Sequence, residues 1–248
     1  PETDDVMKES LQLTTYIATN AYAEFEDTFA EKHYFKALAG YNYEQQDYKS
    51  TYSERNGLLM PDADNINFAL GDIMSITAGG SRWRYVGAFF RFNYAYDDRY
   101  LLEVNGRYDG TSRFPRGKRY GFFPSFSAAY RISEESFFEP LRSTIDNLKL
   151  RFSYGSLGNQ QIGYYDFIQT ITTKGSMSDY SFDGTVLGQH ATVSDPVSGN
   201  QTWEKVVSKN IGIDLNMLRN RLSLSADFYI RDTKGILSQG KSLPSIYG

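Results

Sequence analysis

The residues able to perform chemistry are few in this sequence, and they do not converge. Cysteine is absent, which removes disulfides, thiol catalysis and cysteine-based zinc sites. The two histidines, His33 and His190, have no neighbouring set of ligand-type residues, so we expect neither to bind a metal. No G-x-S-x-G elbow and no P-loop occurs. The sequence therefore predicts no enzyme, and no catalytic, cofactor-binding or metal site.

Two short acidic motifs resemble functional sites and are better explained as surface loops. The segment 62–65, Asp-Ala-Asp-Asn, begins like a calcium loop, but the glycine and distal glutamate that such a loop needs are out of place. Glu134 and Glu135 are adjacent, and adjacent residues of an extended chain point apart. We expect a solvated loop at the first motif and a charged turn at the second.

A basic loop interrupts a chain whose net charge is −4; its cations are Arg113, Arg116, Lys118 and Arg119. The acidic total argues against nucleic acid as a partner. A structural loop is the favoured interpretation, and binding of anionic lipid headgroups or substrate is the alternative.

Four aromatic residues in or beside a long connection are the candidate ligand-facing side chains: Tyr164, Tyr165, Tyr180 and Trp203. An aromatic face can stack on a sugar ring, but packing within loops or in a membrane-interface belt is the commoner use of such residues. These four residues are therefore candidate ligand contacts, and packing is the favoured alternative.

The elements that must position these residues are long strands. Apolar and polar residues alternate from 86 to 96 and from 100 to 109, and Asp97-Asp98 between them suits a two-residue hairpin turn. The same alternation predicts eight strands, at 11–25, 33–46, 86–96, 100–109, 125–132, 148–154, 203–217 and 222–231, with a further strand at 164–172 inside a long loop.

The alternation fits either a membrane barrel or a soluble sandwich. About ten residues suffice for a strand to cross a bilayer, and the apolar faces carry aromatics near their ends. The odd-numbered connections are short (26–32, 97–98, 133–147 and 218–220), and the even-numbered ones are mostly longer (47–82, 110–120 and 155–202). Segregation of loop lengths between the two ends is typical of outer-membrane barrels, although 133–147 is longer than that pattern requires.

Several phrases then carry a family resemblance. NYAYDDRYLLEVNGRYDGTSRF, GFFPSFSAAYRISEESFF, LKLRFSYGSLGNQQIG and WEKVVSKNIGIDLNMLRNRLSLSADFYIRDTKGIL resemble the barrel of SusC/RagA-like TonB-dependent outer-membrane transporters, over roughly residues 83–240. The resemblance implies import of oligosaccharides, or peptides, across a bacterial outer membrane. It also implies three partners: a SusD-like surface lipoprotein, the TonB complex and the surrounding lipid.

The expected fold is therefore all-β: an antiparallel, up-and-down transmembrane β-barrel segment. Barrels of this class have about 22 strands, so eight strands are about a third of the wall and should form an open, curved sheet on their own. We expect residues 1–248 to be a partial barrel domain without the family's plug domain or TonB box. Because the chain starts at Pro1 without a signal peptide, we expect an internal part of a longer protein.

Polar side chains on the opposite faces of the strands are expected to line the lumen as a network against the plug or water: Glu103, Arg107, Arg151 and Asp227. Three rival functions stay open. They are a soluble carbohydrate-binding β-sandwich, a β-rich glycoside hydrolase with two opposed carboxyls, and a passive porin. A sandwich would bury the apolar side chains that a membrane wall leaves bare: Leu102, Val104, Phe126, Leu150 and Leu224.

Overall fold

The structure, a computed structural model, describes residues 6–60, 62, 64–174, 181–182, 185–186, 190–194, 197 and 199–236. Eight long strands dominate it: β1 (Val6–Phe29), β2 (His33–Asn56), β3 (Ile73–Tyr96), β4 (Tyr100–Thr111), β5 (Tyr120–Arg131), β6 (Ile145–Asn159), β11 (Glu204–Met217) and β12 (Leu222–Lys234). Four short strands lie in the long sixth connection: β7 (Ile171–Lys174), β8 (Ser181–Phe182), β9 (Thr185–Val186) and β10 (His190–Val193). Three 3₁₀ turns are Ile66–Phe68, Ile132–Glu134 and Ser136–Leu141.

The eight long strands form one sheet in the order β1-β2-β3-β4-β5-β6-β11-β12. The pairs β4–β5, β5–β6, β6–β11 and β11–β12 are antiparallel. Each long strand therefore lies beside its nearest long neighbours in the chain, which confirms the predicted up-and-down topology. The sheet is open, with β1 and β12 at its edges.

The chain divides into two compact units, residues 1–20 with 42–86, and residues 21–41 with 87–248. Within the first unit, the Tyr16 hydroxyl donates a hydrogen bond to Glu44 at 2.9 Å, and Arg82 pairs with Asp47. The connection 57–72 of this unit is closed by an antiparallel bridge between Leu58 and Ala69. The second unit holds the remaining features of functional interest.

The connections alternate in length, as predicted. Residues 30–32, 97–99 and 218–221 are tight turns, whereas 57–72 and 160–203 are long. The segment 132–144 is the exception among the odd connections, and two 3₁₀ turns occupy it. The backbone of Asp97 and Asp98 has positive φ angles of 51° and 53°, which is the type I′ geometry that matches the twist of a hairpin.

Two sequence-based boundaries were wrong. The segment 47–82 was predicted as a loop, but β2 continues to Asn56 and β3 begins at Ile73. Residues 47–56 include polar side chains on both faces, and residues 73–82 have large apolar side chains only near their start, at Ile73, Met74 and Ile76. Neither segment therefore gives the sustained period-two hydrophobic signal on which the prediction relied. The strand predicted at 164–172 is also wrong, because turns and coil occupy 164–170 before β7 begins at Ile171.

The apolar face of the sheet in the second unit is bare. Leu102, Val104 and Phe126 are 44%, 37% and 39% exposed, and Leu150 and Leu224 are 42% and 54% exposed. A soluble sandwich would pack these side chains between two sheets. Their exposure contradicts that rival and agrees with a wall whose apolar side meets lipid. No helix among the described residues has the length and hydrophobicity of a membrane-spanning helix.

Two stacked tyrosine pairs mark the ends of this bare band. Tyr100 and Tyr130 stack with ring centroids 5.0 Å apart, and Tyr108 and Tyr120 stack at 5.5 Å. The two pairs are separated by about eight residues of β4, which is roughly 27 Å along the strand. At the usual strand tilt this is roughly 20 Å along the membrane normal, close to the roughly 25 Å apolar band between the aromatic girdles of a membrane barrel.

Candidate functional site on the polar face and the long connections

The polar face of the sheet is held together by Arg151 on β6. Its Nε and Nη2 atoms donate to the two carboxylate oxygens of Asp214 on β11 at 2.8 and 3.0 Å. Nη2 also donates to Asp227 on β12 at 3.1 Å. The amide of Asn210 and the hydroxyl of Ser225 donate to the same two aspartates. One guanidinium thus links three neighbouring strands, in the bidentate geometry for which arginine is suited.

Gly212 makes this arrangement possible. It lies on β11, opposite Arg151 on one side and Asp227 on the other. A Cβ atom added there would lie 2.4 Å from Asp227 Oδ1 and 3.0 Å from Arg151 Nη2. Because Gly212 has no side chain, the Arg151 guanidinium can pass over β11 and reach Asp227 on β12.

A second polar group lies on β4. Arg107 pairs with Asp109 at 3.1 Å, and its guanidinium carbon lies 5.3 Å from the centre of the Phe89 ring. Asn105 accepts a hydrogen bond from Arg91 at 2.8 Å and donates one to Glu103 at 2.6 Å. Of the four predicted lumen residues, Arg151 and Asp227 thus belong to one ion-paired cluster. Glu103 and Arg107 belong to this separate polar group on β4.

A concavity of about 490 Å³ opens beside Arg107. Asp109, Ser125 and Ser156 contribute polar groups to its wall, and the Phe123 ring contributes an aromatic one. Hydroxyl, carboxylate and guanidinium groups next to an aromatic ring can hydrogen-bond and pack against a polar organic solute. This chemistry suits transient contact with a sugar or a peptide.

Trp203, one of the four ligand candidates, is packed inside a loop cluster. It is 4% exposed, with its ring 5.4 Å from Phe114 and 5.1 Å from Phe123. Its indole N–H donates to the backbone oxygen of Arg119 at 3.0 Å. Buried aromatic packing with a satisfied indole is what stabilises a fixed loop conformation. In this conformation Trp203 offers little surface to a ligand.

Tyr164 and Tyr165 are accessible, at 40% and 39% exposure. The Arg113 guanidinium lies 4.8 Å from the centre of the Tyr164 ring and donates to the Ile162 backbone oxygen at 3.2 Å. Tyr165 has a positive φ of 62°, and Tyr180 lies outside the described residues. The structure places two of the four candidates where a solute can reach them, and their ligand role stays a prediction.

The segments considered as metal or carboxylate sites have other surroundings. His33 Nδ1 lies 2.9 Å from the Tyr94 hydroxyl. Asp62 and Asp64 are exposed. In the part of the chain that the structure describes, no group of three or more histidine or acidic side chains is placed to hold a metal ion. The side chain of His190 is not among those described.

Glu135 has a structural role that the sequence did not reveal. Its carboxylate accepts hydrogen bonds from the hydroxyls of Tyr100 and Tyr130 at 2.8 and 3.2 Å and pairs with Arg99 at 3.2 Å. These contacts, the Tyr100 hydroxyl foremost, lower the pKa of Glu135. Its neighbour Glu134 instead lies 3.8 Å from Arg142, so the two carboxylates do point apart. Two of these partners, Arg99 and Tyr100, lie 36 and 35 residues before Glu135, beyond any local motif, and only Tyr130 is near it in sequence.

Comparison with known proteins identifies the fold and the family. The sequence model of the family described as "TonB dependent receptor-like, beta-barrel" matches residues 4–247. The chain is 32% identical to TonB-dependent receptor P26 of Formosa agariphila over 217 residues, which cover 86% of this chain and 21% of that protein. It is 33% identical to TonB-dependent receptor SusC of Bacteroides thetaiotaomicron over 168 residues, which cover 66% of this chain and 16% of SusC.

A solved structure has the same fold. The structure of the RagAB peptide transporter aligns with 97% of this chain and 26% of its own at a TM-score of 0.80 and 24% sequence identity. The chain spans about a fifth of the length of the curated relatives it matches. The relatives named here are receptors and transporters, and the alignments cover one part of each.

Proposed function

Because this chain belongs to the TonB-dependent receptor-like β-barrel family, we propose that it forms part of the wall of an outer-membrane transporter that imports nutrients. Residues 1–248 are one section of the barrel domain in this proposal, and the plug and the TonB-contacting segment belong to other parts of the protein. The lipid of the outer membrane surrounds the apolar face.

The observation that carries the proposal is the two-sidedness of the sheet. Leu102, Val104 and Phe126 are bare on one face, between two pairs of stacked tyrosines. Arg151, Asp214 and Asp227 form an ionic network on the other. Apolar outward and polar inward is the distribution that a barrel needs when lipid lies outside it and water inside.

The substrate class that we propose is oligosaccharides. The concavity beside Arg107 combines hydroxyls, a carboxylate and the Phe123 ring, which is a set of groups able to contact sugar hydroxyls and sugar faces. Tyr164 and Tyr165 offer accessible rings among the long connections. Peptides are the second class, because the solved neighbour is the RagAB peptide transporter.

Transport would require partners. We propose that a SusD-like surface lipoprotein delivers substrate to the long connections, and that the TonB complex moves the plug from the periplasmic side. This section of the barrel wall then contributes fixed polar side chains along the passage and no reacting group. No bond in the substrate is made or broken by this chain in the proposal.

Uptake by the full-length protein in its native host tests the proposal. Labelled oligosaccharides and labelled peptides are offered separately, with and without an active TonB complex. TonB-dependent accumulation of oligosaccharide is the expected result, and accumulation of peptide alone would change the substrate class. Uptake that persists without TonB would indicate a passive porin. Recovery of the protein outside the outer-membrane fraction would overturn the proposal.

A further inference from the structure

The connection between β4 and β5, residues 112–119, concentrates positive charge. It contains the four cations of the basic loop and no acidic residue, whereas the whole chain has a net charge of −4. Arg116 and Lys118 are exposed. Within the described part of the chain, Arg116, Lys118 and Arg119 form no ion pair with a carboxylate. Lys118 Nζ donates to Asn200 Oδ1 at 2.9 Å, which is a neutral partner and leaves the positive charge without a counter-charge. Arg116 and Lys118 therefore carry charges that an external anion can neutralise.

The loop is built to hold these cations in place. Phe114 is fully buried and packs against Trp203. Arg119 donates through Nε to the Phe114 backbone oxygen at 3.1 Å, and the Lys118 oxygen accepts from the Thr202 hydroxyl at 3.3 Å. A loop closed at its base over a buried aromatic ring loses little further entropy when it binds a ligand.

The tip of the loop is a defined turn. The Lys118 amide donates to the Pro115 oxygen at 3.1 Å, and Gly117 between them has a φ of +88°. A positive φ at the third position is the requirement of a type II turn, which favours glycine there. Arg116 and Lys118 flank this glycine, so both cations are carried on a compact turn of fixed backbone.

The position of the loop relative to the tyrosine belt indicates the partner. Tyr120 follows Arg119 directly, and it stacks on Tyr108 with both rings more than half exposed. Exposed tyrosines of a membrane barrel lie at the level of the lipid headgroups. Basic residues next to that level meet the phosphates of anionic lipids, and guanidinium groups bind phosphate strongly. The belt and the charge are independent features that indicate the same ligand.

We propose that loop 112–119 is a binding site for the phosphate groups of an outer-leaflet lipid headgroup, with Arg116 and Lys118 as the contacting cations. The site rests on the membrane placement in the proposed function. It would fix the level of this hairpin at the membrane surface, while the Tyr108–Tyr120 pair packs against the upper part of the lipid.

The test compares lipid retention by the purified full-length protein in native mass spectrometry. Wild type, the double variant R116Q/K118Q and the control K32Q/R219Q are each incubated with lipid A, which carries two phosphates, and with its dephosphorylated form. Lys32 and Arg219 are exposed residues in short connections, so the control removes the same charge at the opposite strand ends. Heat-dependent migration on a gel verifies that each variant is folded.

We expect R116Q/K118Q to retain about 5- to 30-fold less lipid A, and the control to match wild type. The dephosphorylated lipid should bind all three proteins equally weakly. Equal retention of lipid A by the two variants would overturn the site. Displacement of lipid A by an equal concentration of inorganic phosphate would show that the loop takes free phosphate instead. The lipid-binding measurement does not depend on transport. If TonB-dependent uptake were absent but the lipid retention were as expected, the result would therefore count against the proposed function and not against the lipid site.

Discussion

Arg151 reaches Asp227 from two strands away, with its Nη2 atom 3.1 Å from Oδ2, by passing beside Gly212 of the strand between them. The same guanidinium holds Asp214 on that intermediate strand. The cluster therefore couples β6, β11 and β12 through side chains as well as through the backbone ladder.

Gly212→Ala should destabilise the barrel, although alanine is ordinarily the better strand residue of the two. The added Cβ would force Asp227 and Arg151 apart, and the urea midpoint should fall. In an Arg151→Met background the same substitution should cost less, which gives a coupling of about 0.5–1 kcal/mol. Gly199→Ala is the control, because nothing lies within 4 Å of an added Cβ there. If the effects of Gly212→Ala and Arg151→Met on stability were additive, Gly212 would not be needed for the Arg151–Asp227 contact.

Val104→Arg should destabilise the membrane-inserted protein by about 2–4 kcal/mol, the usual cost of a cation at the midplane of the lipid face. Val104 lies midway between Tyr100 and Tyr108 and is exposed on the apolar face. Ser127→Arg is the matched control, because Ser127 lies opposite Glu103 on the polar face. Urea unfolding in lipid vesicles measures both. Equal costs would contradict the assignment of the two faces.

Acid should weaken the end of the sheet that carries Asp97 and Glu135. The Arg99 guanidinium lowers the pKa of Asp97, and the Tyr100 hydroxyl, with Tyr130 and Arg99, lowers the pKa of Glu135. A carboxyl with a lowered folded-state pKa contributes stability that is present above its unfolded value, roughly 4, and is lost as the pH falls through the folded value. The urea midpoint should therefore decline below about pH 4.

Glu135→Gln isolates its share of that acid sensitivity. The variant should be less stable than wild type at neutral pH and should show a shallower decline between about pH 4 and pH 3. Glu134→Gln is the control next to it in sequence, since Glu134 contacts neither tyrosine. If both variants track wild type, the carboxylate–tyrosine contacts do not contribute to stability.

Tyr164→Ala and Tyr165→Ala should each raise the KM for oligosaccharide uptake about 2- to 12-fold, the range expected for loss of one aromatic stacking contact. Tyr180→Ala tests the third candidate in the same assay. Trp203→Phe should act differently, because it removes the indole N–H that binds the Arg119 oxygen. We expect it to lower thermal stability with little effect on KM. Unchanged KM in all three tyrosine variants would remove them as ligand contacts.

The sequence predicted strands with one apolar and one polar face better than it predicted the far ends of β2 and β3. Strand β4 was placed at 100–109 and observed at Tyr100–Thr111, because it has a lipid side and a polar side and a hairpin turn before it. The strand residues 47–56 and 73–82 were missed. Those segments carry polar groups on both faces, and a strand of 24 residues exceeds by about two-fold the length that crossing a bilayer requires.

The candidate site was harder to predict than the fold. Trp203 was a ligand candidate with packing as the favoured alternative, and its burial depends on Phe114 and Phe123, which lie 80 or more residues earlier in the chain. Two partners of Glu135, Arg99 and Tyr100, are likewise remote in sequence. Period-two patterns reveal the face on which a side chain lies, whereas the identity of its cross-strand and loop neighbours depends on register and loop closure.

The strand order of the sheet has a kinetic consequence. Since each long strand lies beside the nearest long strand in the chain, pairing can advance one hairpin at a time, with each new strand added to one already in place. Each such step has a small loop-closure entropy cost where the turn is tight. The 160–203 excursion between β6 and β11 is the largest gap to be closed, so docking of the β11–β12 hairpin should be the slow step of insertion.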